Sequence, residues 1–173
     1  MKAYNLAKNE GLDIILDTNI RMKLWKSGEK ARTFISSLLS SKIVFTNVED
    51  LDILFPNIST MDAAKLIISK RKECELVVVK MGEKGAAAFT RNKVYRKEPF
   101  TVPIIEDVIG TGDAFNAAFL AAYYKGIPID EALTYANAAG ALTVTVRGDV
   151  EALTSWKDLE AFIESFKKPI MLR

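Results

Sequence analysis

The sequence predicts an α/β fold in which helices cover both faces of a mostly parallel sheet. Two observations support it. Strand-like and helix-like segments alternate along the chain, and Leu76–Val79 is an almost purely β-branched run, typical of a strand covered on both faces. Ligands of such sheets bind beyond the carboxyl ends of the strands. Polar residues follow predicted strands at 17–19, 46–47 and 80–82, so we expect the functional groups to converge at this edge.

In the first part of the chain, Ala3–Glu10 has a helical pattern that Gly11 ends, and Asp13–Leu16 is predicted to be a buried strand. Apolar residues along one face predict an amphipathic helix over Glu29–Leu39. The next predicted elements are a strand over Lys42–Phe45, a helix over Glu49–Phe55 and, after a cap at Ser59 or Thr60, a helix over Met61–Lys72.

The second part begins with the strand at Leu76–Val79. Residues 82–85, Gly-Glu-Lys-Gly, turn the chain into a strand over Ala86–Phe89, and residues 92–93 turn it again into a strand over Val94–Arg96. Three helices are then predicted, over Ala114–Tyr124, Ile129–Thr145 and Ser155–Phe166.

The composition is typical of a soluble globular enzyme. The 173 residues, 49% apolar and 27% charged, predict a single domain over residues 1–173. Net charge is only +2 with the basic residues dispersed, which argues against a nucleic-acid partner. We also expect no membrane partner and a cytoplasmic location, because no apolar run reaches spanning length and the N-terminus lacks a signal peptide's apolar region.

Two residue types limit the chemistry. The chain has no histidine, which excludes Ser-His triads, histidine metal sites and imidazole acid–base catalysis. Its single cysteine, Cys74, can form no internal disulfide, and a reducing compartment is expected. Glu73 and Glu75 flank Cys74 and should raise the pKa of its thiol, so we interpret it as structural. Carboxylates, lysine, arginine, hydroxyls and backbone amides remain for catalysis.

The most informative segment is Asp-Val-Ile-Gly-Thr-Gly-Asp at 107–113, before the helix predicted to start at Ala114. Amides at the start of a helix lack intrahelical partners and attract anions, and Gly110 and Gly112 let this backbone approach a ligand closely. A carboxylate beside a bound phosphate, here Asp113, is typical of a base that deprotonates an attacking hydroxyl. Residues 110–113 alone fit a capping aspartate after an ordinary turn equally well.

Several motifs together carry a resemblance to a known family. Residues 107–113 and 80–85 fit the second signature and the nucleotide-contacting turn of the ribokinase-like (PfkB) carbohydrate kinases. Residues 17–21, 24–25 and 147–149 are similar to the family's archaeal branch for 2-keto-3-deoxygluconate (KDG). The resemblance implies a three-layer αβα fold. It spans Asp13–Phe166 and matches only the C-terminal half of a family member, without the family's N-terminal strands and β lid.

The resemblance implies ATP-dependent phosphorylation of a sugar acid, most simply KDG at its 6-hydroxyl, with Mg²⁺ accompanying the nucleotide. Asp113 would be the general base, and the amides of Gly110, Thr111 and Gly112 would hold the transferring phosphoryl group. Arg21 would bind the carboxylate of the sugar acid or a phosphate, because its planar guanidinium can do so in bidentate fashion.

Further roles follow from the resemblance alone. Nucleotide contacts are implied for six residues: Asn19, Lys80, Gly82, Glu83, Gly85 and Asn137. Asp149 would bond a substrate hydroxyl, and Asn47 and Asp50, at the family's Asn-x-x-Glu positions, would place hydrated magnesium. The residues themselves leave alternatives open: a turn-forming asparagine at 19, hairpin glycines at 82 and 85, a satisfied core amide at 137 and a local Asx turn at 149.

Two other functions fit the same sequence. One is a kinase of the same fold acting on another sugar or a nucleoside, against which Arg21 and the 24–25 segment argue. The other is a truncated, non-catalytic nucleotide-binding module, either a broken gene product or one half of a two-chain assembly. The partners expected are the sugar acid and ATP, and association is expected as a homo-oligomer or through the surface that the missing N-terminal half leaves exposed.

Overall fold

The computed structural model describes residues 1–148 and 150–167. Within them, seven α-helices and two 3-10 turns accompany five strands. The strands are β1 Ile15–Asp17, β2 Ile43–Asn47, β3 Leu76–Lys80, β4 Ala86–Phe89 and β5 Val94–Lys97. The helices are α1 Lys2–Asn9, α2 Gly28–Ser36, α3 Val48–Leu54, α4 Thr60–Lys70, α5 Thr111–Tyr124, α6 Ile129–Thr143 and α7 Trp156–Lys167. The 3-10 turns are Met22–Leu24 and Gly82–Lys84.

The five strands form one sheet in the order β1-β2-β3-β4-β5. β1 pairs with β2 in parallel, with Ile15 opposite Ile43, and β2 pairs with β3 in parallel, with Val44 opposite Val77. Short connections lead from β3 to β4 and from β4 to β5, and each can only join antiparallel strands, since a parallel connection needs a long crossover. β4 is thus antiparallel to both of its neighbours, and the other four strands run in one direction. The sheet is therefore mixed and mostly parallel, as predicted.

The chain divides into two compact units. The first comprises Met1–Met81 with Ala87–Tyr95, and the second comprises Gly82–Ala86 with the chain from Arg96 onward. In the core of the first unit, alternate residues of β2, β3 and β4 pack with the apolar sides of α2, α3 and α4. The intervening residues of β2 and β3, Ile43, Phe45 and Val78, are also buried. Both faces of these strands are thus removed from water, as the apolar run predicted.

The second unit has its own core between α5, α6 and α7. Ala118, Ala138 and Ala139 are buried there with Leu159 and Ile163. Small residues let helix backbones approach closely, and the closeness of α5 and α6 is apparent at Gly140, where an added Cβ would lie 3.5 Å from Cγ2 of Thr111. The alanines of α5 and α6 therefore serve helix packing.

Two boundaries differ from the prediction in the first unit. The first strand was predicted as buried over 13–16, but β1 lies at 15–17 on the edge of the sheet, with Ile15 37% exposed. β1 has one strand neighbour, β2, so its pairing cannot bury it as the inner strands are buried. α2 ends at Ser36 instead of Leu39, because Ser37 and Leu38 donate to the carbonyls three residues before them in a tighter turn.

The start of α5 was also predicted wrongly. The helix begins at Thr111 instead of Ala114, and Gly110 is its N-cap with φ 75°. Only glycine adopts this left-handed conformation at little cost, so Gly110 redirects the chain into the helix. Gly112 lies within the first turn of α5, where backbone amides have no intrahelical acceptor. Asp113 consequently lies inside the first turn.

Other local predictions are confirmed within a few residues. α4 begins with Ser59 as its N-cap, whose hydroxyl accepts from the Asp62 amide at 3.2 Å. α6 ends at Thr143 rather than near Thr145. Among residues 1–148 and 150–167, the helices are too short or too polar to cross a bilayer.

Cys74 is buried, as a structural thiol should be. Burial raises the pKa of its thiol to about 11, because the apolar surroundings disfavour the thiolate. The sequence predicted the direction of this shift from the flanking carboxylates. The main cause is instead desolvation, and Glu75 contributes less.

Candidate functional site

In the first unit, the chain leaving β1 alternates between buried and exposed residues. Thr18 and Ile20 are buried, whereas Asn19 and Arg21 face solvent. Asn19 has φ 33°, a region that asparagine tolerates better than most residues. We call residues 18–21 the anchor loop. It exposes the polar side chains of Asn19 and Arg21 and buries those of Thr18 and Ile20.

The anchor loop is held by the carboxylate of Asp50, in the first turn of α3. The Thr18 hydroxyl donates to Oδ2 of Asp50 at 2.5 Å, and the Ile20 amide donates to both carboxylate oxygens at 3.2 and 3.1 Å. The Thr46 hydroxyl lies 3.0 Å from that of Thr18 and can donate to it. Asp50 itself is positioned by Asn47, the N-cap of α3, whose Oδ1 accepts from the Asp50 amide at 2.7 Å.

A second polar contact joins the ends of β3 and β1. Nζ of Lys80 lies 3.0 Å from Oδ2 of Asp17, and both side chains are largely shielded from water. A partly buried ion pair of this kind keeps a charged amine at the carboxyl ends of the strands. The predicted convergence of residues 17–19, 46–47 and 80 at one edge is therefore confirmed within the first unit.

The structure gives Asn47 and Asp50 a connection that the sequence did not reveal. The described residues contain no cluster of three acidic, histidine or cysteine side chains able to hold a metal ion. Both carboxylate oxygens of Asp50 accept hydrogen bonds from the protein. The predicted role of Asp50 in placing hydrated magnesium stays a prediction. The anchoring function of Thr18 and Thr46 was missed. Their position directly after parallel strands was the available signal, because such positions meet at one edge.

In the second unit, the first turn of α5 combines unused donors with a free carboxylate. The amides of Gly110, Gly112 and Asp113 have no acceptor among the described residues, whereas the Thr111 amide donates to the Val108 carbonyl at 3.4 Å. The Asp113 side chain is exposed and makes no hydrogen bond or ion pair within that same part of the chain.

This geometry does not fit the capping interpretation of residues 110–113, and the catalytic interpretation of Asp113 stays a prediction. Gly110 is the N-cap and offers no side-chain cap, so Asp113 does not cap the helix. The predicted anion donors were the amides of Gly110, Thr111 and Gly112. The amide of Asp113 replaces that of Thr111 in the set without an acceptor. Such a group of amides at the positive end of a 14-residue helix suits a phosphoryl oxygen.

Gly85 and Asn137, two predicted nucleotide contacts, meet the same piece of backbone. A Cβ at Gly85 would overlap the carbonyl oxygen of Lys97, and Gly85 has φ 73°. The Asn137 amide donates to the carbonyls of Lys97 and Glu98 at 3.2 and 2.9 Å. The geometry therefore fits the alternative of a satisfied core amide at Asn137 and makes residues 97–99 the common support of both positions.

Three further residues of the second unit were predicted to contact the nucleotide or the substrate. Gly82, with φ 57°, and Glu83 are exposed in the turn that leads to β4. Asp149 lies outside the described residues.

Comparison with known proteins gives consistent matches. The model of the pfkB family of carbohydrate kinases matches residues 1–156. The Arabidopsis thaliana relative named probable fructokinase-3 is 34% identical over 97% of the chain and 50% of its own length. The 2-dehydro-3-deoxygluconokinase of Thermoproteus tenax is 34% identical over 95% of the chain and 49% of its own length.

A solved structure shares the fold. A candidate ribokinase II from E. coli, in complex with ATP and Mg²⁺, matches 95% of the chain and 52% of its own with a TM-score of 0.85 and 30% identity. The predicted ribokinase-like α/β fold is confirmed. The chain spans about half the length of the curated relatives it matches.

Proposed function

Since the chain belongs to the pfkB family of carbohydrate kinases, we propose that residues 1–173 are the C-terminal, nucleotide-binding and catalytic half of a sugar-acid kinase. Its substrate is KDG, also called 2-dehydro-3-deoxygluconate, and it phosphorylates the 6-hydroxyl with ATP. The single observation that carries the proposal is the first turn of α5, where an exposed carboxylate accompanies amides that have no acceptor among the described residues.

Asp113 accepts the proton of the 6-hydroxyl as its oxygen forms a bond to the γ-phosphorus. The bond between that phosphorus and the bridging oxygen breaks, and its electron pair leaves with ADP. A positioned base contributes about 10²–10⁴-fold. The amides of Gly110, Gly112 and Asp113 stabilise the charge on the transferring oxygens, and one such donor is worth roughly 3 kcal/mol.

Mg²⁺ enters with the nucleotide in this proposal. The described residues offer no acidic cluster that could hold the ion by itself, and Mg²⁺ commonly binds through phosphate oxygens and water. The ion would neutralise charge on the phosphates. The match to a structure that contains ATP and Mg²⁺ supports the use of both.

Arg21 supports a sugar acid over a neutral sugar. Its guanidinium is exposed and makes no hydrogen bond or ion pair within the described residues, so it is available to a carboxylate. Leu24, one turn further, is 83% exposed beside it. Relatives named for a sugar acid and for fructose are equally identical to this chain, so the substrate has to be tested directly.

The test combines calorimetry with a substrate panel on the purified full chain. We expect ATP with Mg²⁺ to bind, and ADP release to be faster with KDG than with fructose, ribose or adenosine. One bidentate charge pair should favour KDG at least about tenfold in kcat/KM. Equal rates for KDG and fructose would contradict the sugar-acid assignment, and absence of nucleotide binding would contradict the kinase assignment.

A second candidate is a nucleotide-binding half that acts only in association. The observation that favours it is a run of exposed apolar residues before α5. Four side chains are 57–69% exposed there: Ile104, Ile105, Val108 and Ile109. Large exposed apolar patches usually mark interaction surfaces. ATP binding without turnover, together with a concentration-dependent mass in sedimentation equilibrium, would support this candidate. A monomer that turns over KDG would exclude it.

A further inference from the structure

The anchor loop contains two side chains assigned to ligands, Asn19 and Arg21, and neither is fixed by side-chain hydrogen bonds of its own among the described residues. Both side chains are exposed. A long arginine loses rotational freedom when it binds, so its usefulness depends on where the backbone places its Cα. The backbone positions of Asn19 and Arg21 must therefore be set by Thr18, which precedes them, and by Ile20, which lies between them.

Those residues are held by one buried group. Asp50 is 3% exposed, and its carboxylate accepts from the Ile20 amide and the Thr18 hydroxyl. Ile20 lies between Asn19 and Arg21, so a hydrogen bond to its amide fixes the peptide plane that both side chains flank. Hydrogen bonds to a charged acceptor in a buried site are stronger and more directional than neutral ones.

Asn19 makes this hold necessary. Its φ of 33° lies in the left-handed region, which asparagine tolerates better than most residues but which still costs more than an extended backbone. Without an acceptor for the Ile20 amide, the loop would relax toward an ordinary extended path and turn the peptides on either side. The buried Thr18 and Ile20 side chains, and the Thr46 hydroxyl behind Thr18, keep the loop from adjusting in other ways.

We infer that Asp50 is a positioning residue that fixes the anchor loop, and through it Arg21, for binding the carboxylate of the sugar acid. The inference rests on the proposed function for its ligand. It assigns Asp50 a contact to the backbone of the loop, because both carboxylate oxygens are already occupied by the Ile20 and Thr18 donors.

The experiment compares Asp50→Asn with Asp52→Asn in the full chain. Both residues lie on α3 and lose one negative charge, but Asp52 is exposed and has no partner among the described residues. Native-state hydrogen exchange, read by NMR, should show Ile20 exchanging about tenfold faster in Asp50→Asn. The same variant should bind KDG about tenfold more weakly, with the Mg²⁺ concentration for half-maximal nucleotide binding unchanged. Asp52→Asn should match the wild type.

A second pair keeps the test open if Asp50→Asn does not fold. Thr18→Val removes the hydroxyl at nearly constant volume, and Thr18→Ser retains it. The valine variant should weaken KDG binding and loosen the Ile20 amide, and the serine variant should restore both. Where turnover is measurable, the change should appear in KM rather than in kcat.

Three results would overturn the inference. They are unchanged Ile20 exchange in Asp50→Asn, a shifted Mg²⁺ requirement with unchanged KDG binding, or equal weakening by Asp52→Asn. If the wild-type chain binds ATP but no KDG, the proposed substrate and the effect of Asp50 on its binding both fail. Ile20 exchange would then still establish whether Asp50 holds the loop, so the two failures are distinguishable.

Discussion

The anchor loop after β1 and the first turn of α5 use polar groups in opposite ways. In the loop, a buried carboxylate, a hydroxyl and a backbone amide are all paired with one another. In α5, three amides and the exposed carboxylate of Asp113 have no partner among the described residues. Paired buried groups fix geometry, whereas unpaired groups at the surface are available to a ligand. The comparison therefore contrasts groups that hold the loop in place with groups that are available to a ligand.

Asp113→Asn should have the largest effect, because it removes the only unpaired carboxylate of this comparison. We expect turnover to fall about 10²–10⁴-fold, or roughly 3–5 kcal/mol, with nucleotide affinity and melting temperature nearly unchanged. Steady-state and binding assays check this. The control is Glu131→Gln, which neutralises an exposed first-turn carboxylate of α6 and should leave turnover intact. Full turnover by Asp113→Asn would exclude it as the base.

Gly85→Ala should have the next largest effect, on stability. The new methyl group would overlap the Lys97 carbonyl in a backbone of positive φ, which we expect to lower the free energy of unfolding by about 3 kcal/mol. Gly82→Ala is the matched control. Gly82 also has positive φ but has nothing within 4 Å of its added Cβ, so the cost should be about 1 kcal/mol. Urea titrations measure both, and equal losses would refute the steric explanation.

Two threonine-to-valine changes test the comparison itself. Thr18→Val removes a hydroxyl that donates to a buried carboxylate, and we expect it to cost about 2 kcal/mol of stability. Thr111→Val removes a buried hydroxyl that has no partner among the described residues, so its cost should be near zero. Thermal unfolding of both variants decides. A larger loss for Thr111→Val would mean that the two regions do not differ in this way.

Cys74→Ala should also change how stability depends on pH, in addition to the pH-independent cost of truncating a buried side chain. Burial raises the pKa of the thiol from 9.0 to about 11, so between these values the native chain keeps a proton that the unfolded chain releases. The free energy of unfolding therefore falls as the pH rises through this window. At pH 10 the wild type should have lost roughly 1 kcal/mol more than Cys74→Ala, relative to pH 8. If the free energy of unfolding of the wild type and of Cys74→Ala falls equally between pH 8 and pH 10, the thiol does not cause the loss of stability.

Local patterns predicted what depends on neighbours in sequence. β3 and α4 were found because a β-branched run and a serine cap act within a few residues. The motif around Asp113 placed a carboxylate among helix-terminal amides for the same reason. The exact start of α5 was missed, because glycine can adopt several backbone conformations and the sequence does not specify that Gly110 is left-handed.

Contacts between distant residues were not predictable in the same way. Asp50 was assigned to magnesium by its position in a motif, while its bonds to Thr18 and Ile20 join residues 32 and 30 positions apart. Similarly, Asn137 reaches the carbonyls of Lys97 and Glu98 across 40 and 39 positions. Nothing in the local sequence specifies such partners, and only the completed fold brings them together.

The seclusion of Cys74 has a practical consequence. The chain contains one thiol, and it is buried and protonated at neutral pH. Maleimide and iodoacetamide dyes react with exposed thiolates, so the native chain should remain unlabelled. A single Lys84→Cys change in the exposed turn after β3 would then give a uniquely derivatisable protein without prior removal of the native sulfur. Fluorescent labels can thus be attached to the chain without altering its core.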